Sequence, residues 1–374
     1  MTMKLGGMIR RTSLGLLYIL FLLALAEGGS RLFWTTRGAS FLAAHRDLHL
    51  AFYPELRPIQ RAALSKDDEV FDILMLGASV LHGAFTKVEQ YLRERLSSEM
   101  PGTVRIHNVS VPAHTTRDSY YKYRHLMDKR FELIVVYHGI NEVRANNCPP
   151  SVYREDYSHY SWYRLVNALE AGTEQRRLVF PYTAEFLGKS LQEEMGLRRY
   201  VPRHRPRGDW LEYGRHIKTP GAFRANLEGI LRMAKTKGEP VLLMTFSSYI
   251  PADYTEEKFY RGGLDYAQPS GLPIELWGKP EHVAAGLSAH NAVVEELARR
   301  YDHVVFVDQQ RLIPRQGRFF TDVAHLSDVG SERFVANIIG EIRKMVGRWS
   351  GRAERLPGLE GHGVRRPGHE RWFR

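Results

Sequence analysis

Cysteine is almost missing: the 374 residues include one, Cys148. A single thiol excludes an internal disulfide framework. Its neighbours Asn146, Asn147, Pro149 and Pro150 place it in a loop, as a bystander. Apart from His45 and His49 in the lead-in, no His-x-x-x-His pair, no carboxylate cluster with metal-ligand spacing and no Gly-rich phosphate loop stands out, so neither a metal nor another cofactor is expected. Zinc-ligand spacing and other nucleic-acid motifs are also missing. Lys and Arg are interspersed with Glu and Asp, so the net charge of +11 is not read as a nucleic-acid surface. It fits a basic exported protein beside anionic lipid or envelope polymer.

An uninterrupted apolar run long enough to cross a membrane is lacking as well. Leu14 to Ala26 follows Lys4, Arg10 and Arg11, the pattern of an export signal whose basic end stays in the cytoplasm. Two readings stand. Either Ala24-Leu25-Ala26 is a cleavage site and the mature protein is secreted, or the helix continues to Trp34 and remains as a single-pass anchor. The second reaches the roughly 20 residues a span needs. It places Phe33 and Trp34 at the far interface and pairs Glu27 with Arg31 across one helical turn. The balance favours the anchor, and both readings put the remaining chain outside the cytoplasm, in the periplasm.

With 43% hydrophobic and 25% charged residues, most of the chain is expected to fold. Residues 1–34 form the signal or anchor helix and 35–70 a lead-in. The domain spans 71–347, and 348–374 form a disordered basic tail. Short apolar runs at Phe71–Leu76, Val104–Val109, Leu133–Tyr137, Val241–Phe246 and Val304–Val307 read as strands buried on both faces. Helical spacing fills the gaps: Val88 to Leu96 (stopped by Pro101-Gly102), Tyr120 to Met127, Ala222 to Lys235, His290 to Arg300, and a last helix capped by Ser327. Alternation of this kind predicts a doubly wound parallel sheet, with a site at the carboxyl ends of the strands. Residues 145–215 break the rhythm as an insertion rich in Tyr, Arg, His and Pro, with helical pieces at Trp162–Ala171 and Ala184–Met195. Its aromatic rings are either a stacking groove for a sugar chain or packing.

Chemistry concentrates at strand ends. Ser79 follows Gly77-Ala78 after the first strand, Asn141 follows Gly139-Ile140 after the third, and Asp322-Val323-Ala324-His325 follows the last. A hydroxyl, a base and an acid to orient the base are the set that nucleophilic acyl chemistry requires. Asp and His only three positions apart set this order off from the chymotrypsin, subtilisin and α/β-hydrolase arrangements. His82, His114, His138 and Glu142 adjoin these motifs as candidates for substrate contact or for structure.

These residues resemble the SGNH hydrolase superfamily, the GDSL-type esterases and lipases, over about residues 71 to 346. Gly77-Ala78-Ser79 matches the first block with Ala for Asp. Gly139-Ile140-Asn141-Glu142 matches the third with Glu for Asp, and Asp322-x-x-His325 the last. In Asn108 to Thr116 the second block is altered, and Ala113 stands where the family has a glycine. The resemblance implies a three-layer α/β/α sandwich with a flavodoxin-like parallel sheet. It implies Ser79, Asp322 and His325 as catalytic residues and an oxyanion site made of the Ser79 N–H, the Ala113 N–H and the Asn141 amide. The Ala113 donor is expected to serve if its φ is negative.

The expected function is serine-dependent ester hydrolysis on an O-acylated, in particular acetylated, envelope glycan or lipid. Two alternatives remain: an O-acetyltransferase using the same triad, and a catalytically silent envelope binding protein of this fold. The acyl group, the acceptor and the oligomeric state are not legible in the sequence.

Overall fold

A computed structural model describes residues 2–62, 64, 70–99, 104–172, 178–197, 201, 207–267 and 271–353. Five parallel strands, β1 (Phe71–Gly77), β2 (Val104–Asn108), β3 (Leu133–Tyr137), β4 (Val241–Met244) and β5 (Val304–Val307), lie in the order β2-β1-β3-β4-β5. The longer helices are α1 (Thr2–Thr35), α2 (Val88–Glu99), α3 (Thr116–Arg124), α4 (Ser161–Gly172), α5 (Phe180–Glu194), α6 (Pro220–Lys237), α7 (Pro280–Arg300) and α8 (Asp328–Ala353).

Alternate side chains of β1 feed two cores, because successive residues of a strand point to opposite faces. Ile73 and Met75 pack with Leu92 and Leu96 of α2 and Ile338 and Ile342 of α8. Leu74 and Leu76 pack with Tyr121 of α3, Leu227 and Ile230 of α6, and Leu297 of α7. Helices thus cover both faces, which is why β1 and β3 are buried throughout and, Asp72 aside, apolar. From β1 the chain crosses to β2 on one side and returns to β3 on the other. The carboxyl end of β1 therefore lies at the switch point of the sheet, where open α/β folds form their crevice.

Helix α1 includes one segment, Ser13–Thr35, long and apolar enough to cross a membrane or to act as a signal. Its end departs from the expected arrangement. Trp34 is not at a membrane interface: it is buried in the domain, stacked on Tyr182 of α5 at 5.5 Å. Its Nε1 donates to Thr183 Oγ1 at 2.9 Å. A buried indole needs such a partner, and the insertion supplies it. The Glu27–Arg31 pair forms as expected, at 2.8 Å.

In the insertion, the tyrosines are packing rather than an open stacking groove. Tyr157, Tyr160 and Tyr163 are buried together with Trp210. Asp118 at the start of α3 ties this layer down, accepting hydrogen bonds from Tyr53 Oη, Trp162 Nε1 and Tyr163 Oη.

Helix α7 begins at Pro280, ten residues before the expected start, because Val283 and Leu287 continue its buried face. Helix α8 runs to Ala353, past the expected start of the tail at 348. The rest of that tail, 354–374, and Pro101-Gly102 lie outside the described residues.

Candidate active site

Strand β1 ends at Gly77, and one 3-10 turn, Ser79–Leu81, follows Ala78. A Cβ on Gly77 would meet Leu81 Cδ1 at 2.7 Å and Ser110 Oγ at 3.2 Å, so glycine there lets these side chains pack closely against the turn that presents Ser79. The loop after β5 and before α8 brings His325 back to it. Ser79 Oγ lies 2.8 Å from His325 Nε2, and Asp322 Oδ2 lies 2.6 Å from His325 Nδ1. All three residues are buried.

Asp322 is held by more than the imidazole. Its Oδ1 accepts the Ala324 and His325 N–H groups, both at 2.8 Å, and its Oδ2 accepts the Leu272 N–H at 2.7 Å. Burial pushes its pKa up, but the adjacent His325 and these hydrogen bonds outweigh burial and hold the pKa below the ordinary carboxylate value. The group at the end of the relay is thus an ionised acceptor. With its carboxylate on Nδ1, the imidazole keeps Nε2 free to take the Ser79 proton. Phe85 stacks on the other side of the ring, centroids 5.0 Å apart.

Asn141, in the short helix Ile140–Val143 after β3, has its amide fixed at both ends. Trp277 Nε1 donates to its Oδ1 at 3.1 Å, and its Nδ2 donates to His114 O at 2.9 Å. A flipped amide would set two donors against each other at Trp277, so the orientation is determined chemically. One Nδ2 hydrogen remains for a substrate oxygen. The bond to His114 O also joins Asn141 to the loop carrying Ala113.

Ala113 does not meet the condition of a negative φ: it stands at +64°. The turn keeps the conformation a glycine would take and imposes it on alanine, at a cost of about 1–2 kcal/mol. Neither the Ala113 nor the Ser79 N–H is bonded to another protein group among the described residues. Behind Ser79 lies a small, mostly apolar cavity lined by Gly139, Ile140, Asn141 and Phe246.

The neighbouring candidates divide. His138 is buried, bonded to Ser119 Oγ at 2.7 Å, and burial lowers its pKa to about 3, so it is a neutral structural residue. His114 packs against Tyr53 and Trp162. Glu142 is buried and accepts the Thr116 N–H through Oε1, which clamps the loop after β2 to the loop after β3. Burial raises its pKa to about 7 against the lowering effect of that bond. His82 alone of the four is only half-buried.

Sequence reasoning did not single out Gly271, Leu272 or Trp277. They lie in the irregular 250–280 stretch, and their contribution comes from one backbone N–H, a missing Cβ and an indole N–H that no motif marks. A Cβ on Gly271 would fall 2.2 Å from Thr321 O, so glycine is what lets the Leu272 N–H reach Asp322.

No family model and no curated protein matches the chain. Among solved structures it is similar to an acetyl xylan esterase at 10% identity, over 73% of this chain and 100% of that one, with a TM-score of 0.41. A GDSL-like lipase from Bacteroides thetaiotaomicron is similar at 15% identity, over 78% and 98%, with a TM-score of 0.42. An acetylxylan esterase from Geobacillus stearothermophilus matches at 12% identity, over 74% and 94%, with a TM-score of 0.41. Likenesses this distant carry no chemistry; the side-chain geometry must.

Proposed function

We propose that the chain is an SGNH-type serine esterase. One observation carries this reading: the buried relay from Ser79 Oγ through His325 to Asp322, at 2.8 and 2.6 Å. As His325 Nε2 takes the Ser79 proton, Oγ attacks the ester carbonyl. The oxyanion is received by the Ser79 and Ala113 N–H groups and the remaining Asn141 Nδ2 hydrogen. Collapse breaks the bond to the alcohol oxygen, which leaves with the proton from His325. Water, deprotonated by the same nitrogen, then releases the acid and restores Ser79. Asp322 stays ionised and stabilises the imidazolium in both halves. A silent binding protein has no need of this set held in contact.

The proposed setting is the outer side of the cytoplasmic membrane. Arg10 and Arg11 before the apolar part of α1 favour a cytoplasmic N-terminus, which leaves Ser79 on the far side. There the substrate class is an O-acylated envelope glycan or lipid.

Hydrolysis of 4-nitrophenyl acetate by the full chain, beside Ser79→Ala and His325→Ala, tests the reading. Each variant is expected to lose about 10⁴-fold or more in kcat. Equal turnover in either would refute it.

A further inference from the structure

Helix α1 is unbroken from Thr2 to Thr35, and only its last third is held by the domain. Its apolar residues from Leu14 to Leu25 are 45% to 63% exposed. At Glu27 the domain begins. Arg31 pairs with Glu27 and also donates through Nη1 to Phe41 O and Ala43 O, at 3.0 and 3.1 Å. The Glu27 carboxylate accepts the N–H groups of Val179 and Phe180, at 3.0 and 2.9 Å, where α5 starts. One ion pair therefore gathers two segments around the helix at a single level.

Each of these segments presents a large apolar side chain to the outside at that level. Leu42 is 82% exposed, Leu178 55%, Leu32 61% and Phe41 48%. Exposed leucines of this kind, clustered around a helix exit, call for a covering. The helix length says what it is. Fifteen residues separate Arg11 from Glu27 in the sequence. At about 1.5 Å per residue they rise about 22 Å, whereas a bilayer's hydrocarbon is about 30 Å thick. If α1 spans, the base of the domain has to sink to make up the difference, and what it presents is this ring of leucine and phenylalanine.

We propose that Leu32, Phe41, Leu42 and Leu178 form a collar seated in the lipid bilayer, continuous with the apolar surface of α1. The domain is then docked on the membrane and not merely tethered to it. Such docking holds Ser79 at a fixed height above the lipid. This rests on reading α1 as a span, and the test separates the two.

The full chain is reconstituted in phosphatidylcholine nanodiscs as four Cys148→Ser variants. Phe21→Cys, Leu42→Cys, Leu178→Cys or Val329→Cys carries an environment-sensitive fluorophore. Val329 starts α8, on the opposite face of the sheet, and is the aqueous control. Lipids brominated near the carbonyl end of their chains are expected to quench the probes at 42 and 178 and leave the one at 329 bright. Bright probes at 42 and 178 with a probe at 21 quenched by bromine deeper in the chains would overturn the collar and keep the span. Bright probes at all positions with both lipids would overturn both.

Discussion

Trp277 Nε1 donates to Asn141 Oδ1 at 3.1 Å, and that bond decides which way the Asn141 amide faces. Trp277→Phe leaves an aromatic ring in place but frees the amide to rotate. Turnover is expected to fall roughly tenfold or more, less than the 10²–10³ of a deleted oxyanion donor, with KM little changed. In an Asn141→Ala background the same substitution should add nothing to the loss in kcat, since both act through one amide. Additive losses measured in that double-mutant cycle would show that Trp277 acts otherwise, as packing.

Asp322 accepts three main-chain N–H groups besides its contact with the His325 imidazole, so its negative charge is what the site is built to hold. Asp322→Asn places an NH₂ either against the Leu272 N–H and the imidazole or against the Ala324 and His325 N–H groups, and the first placement reverses the tautomer. Steady-state turnover should drop about 10⁴-fold. A loss below about tenfold would mean that another group orients the imidazole.

Much of this was legible in the sequence because strand runs, Gly77, Ser79, Asn141 and the Asp322–His325 spacing are local patterns with local consequences. Trp34 reads like an interfacial anchor because it follows an apolar run, and only tertiary contact with Tyr182 and Thr183 reveals that it belongs to the domain core. The insertion tyrosines were ambiguous for the same reason: an aromatic residue suits a groove and a core equally well until its neighbours are known. Leu272 contributes a main-chain N–H, which side-chain identity cannot announce.

Ala113 at φ +64° holds a conformation that favours glycine. Ala113→Gly should keep the turn, retain turnover and raise stability by up to about 1 kcal/mol, the relieved strain being partly offset by the freer unfolded chain. Chemical denaturation beside the esterase assay checks both parts. A destabilised or inactive variant would mean that the methyl group packs usefully in the site.

Glu142 gives stability a pH dependence whose sign is fixed. Its folded pKa of about 7 lies above the ordinary 4.5, so between these values the folded chain holds a proton that the unfolded chain has released. The contribution is whole below pH 4.5 and is lost as pH rises through about 7. At about 1.4 kcal/mol per unit, the loss is about 3 kcal/mol. Glu142→Gln keeps an acceptor for the Thr116 N–H and removes the proton, so its denaturation midpoints should be flatter over that range than those of the wild type. Parallel curves for the two proteins would show that Glu142 does not titrate there.

The central claim is that His325 and Asp322 activate Ser79, and fluorophosphonate labelling of the full-length protein beside Ser79→Ala reports on it most directly. The account predicts rapid labelling of the wild type, located by peptide mapping at Ser79, and none in the variant. A folded wild-type protein that stays unlabelled, or a variant that labels equally, would contradict it.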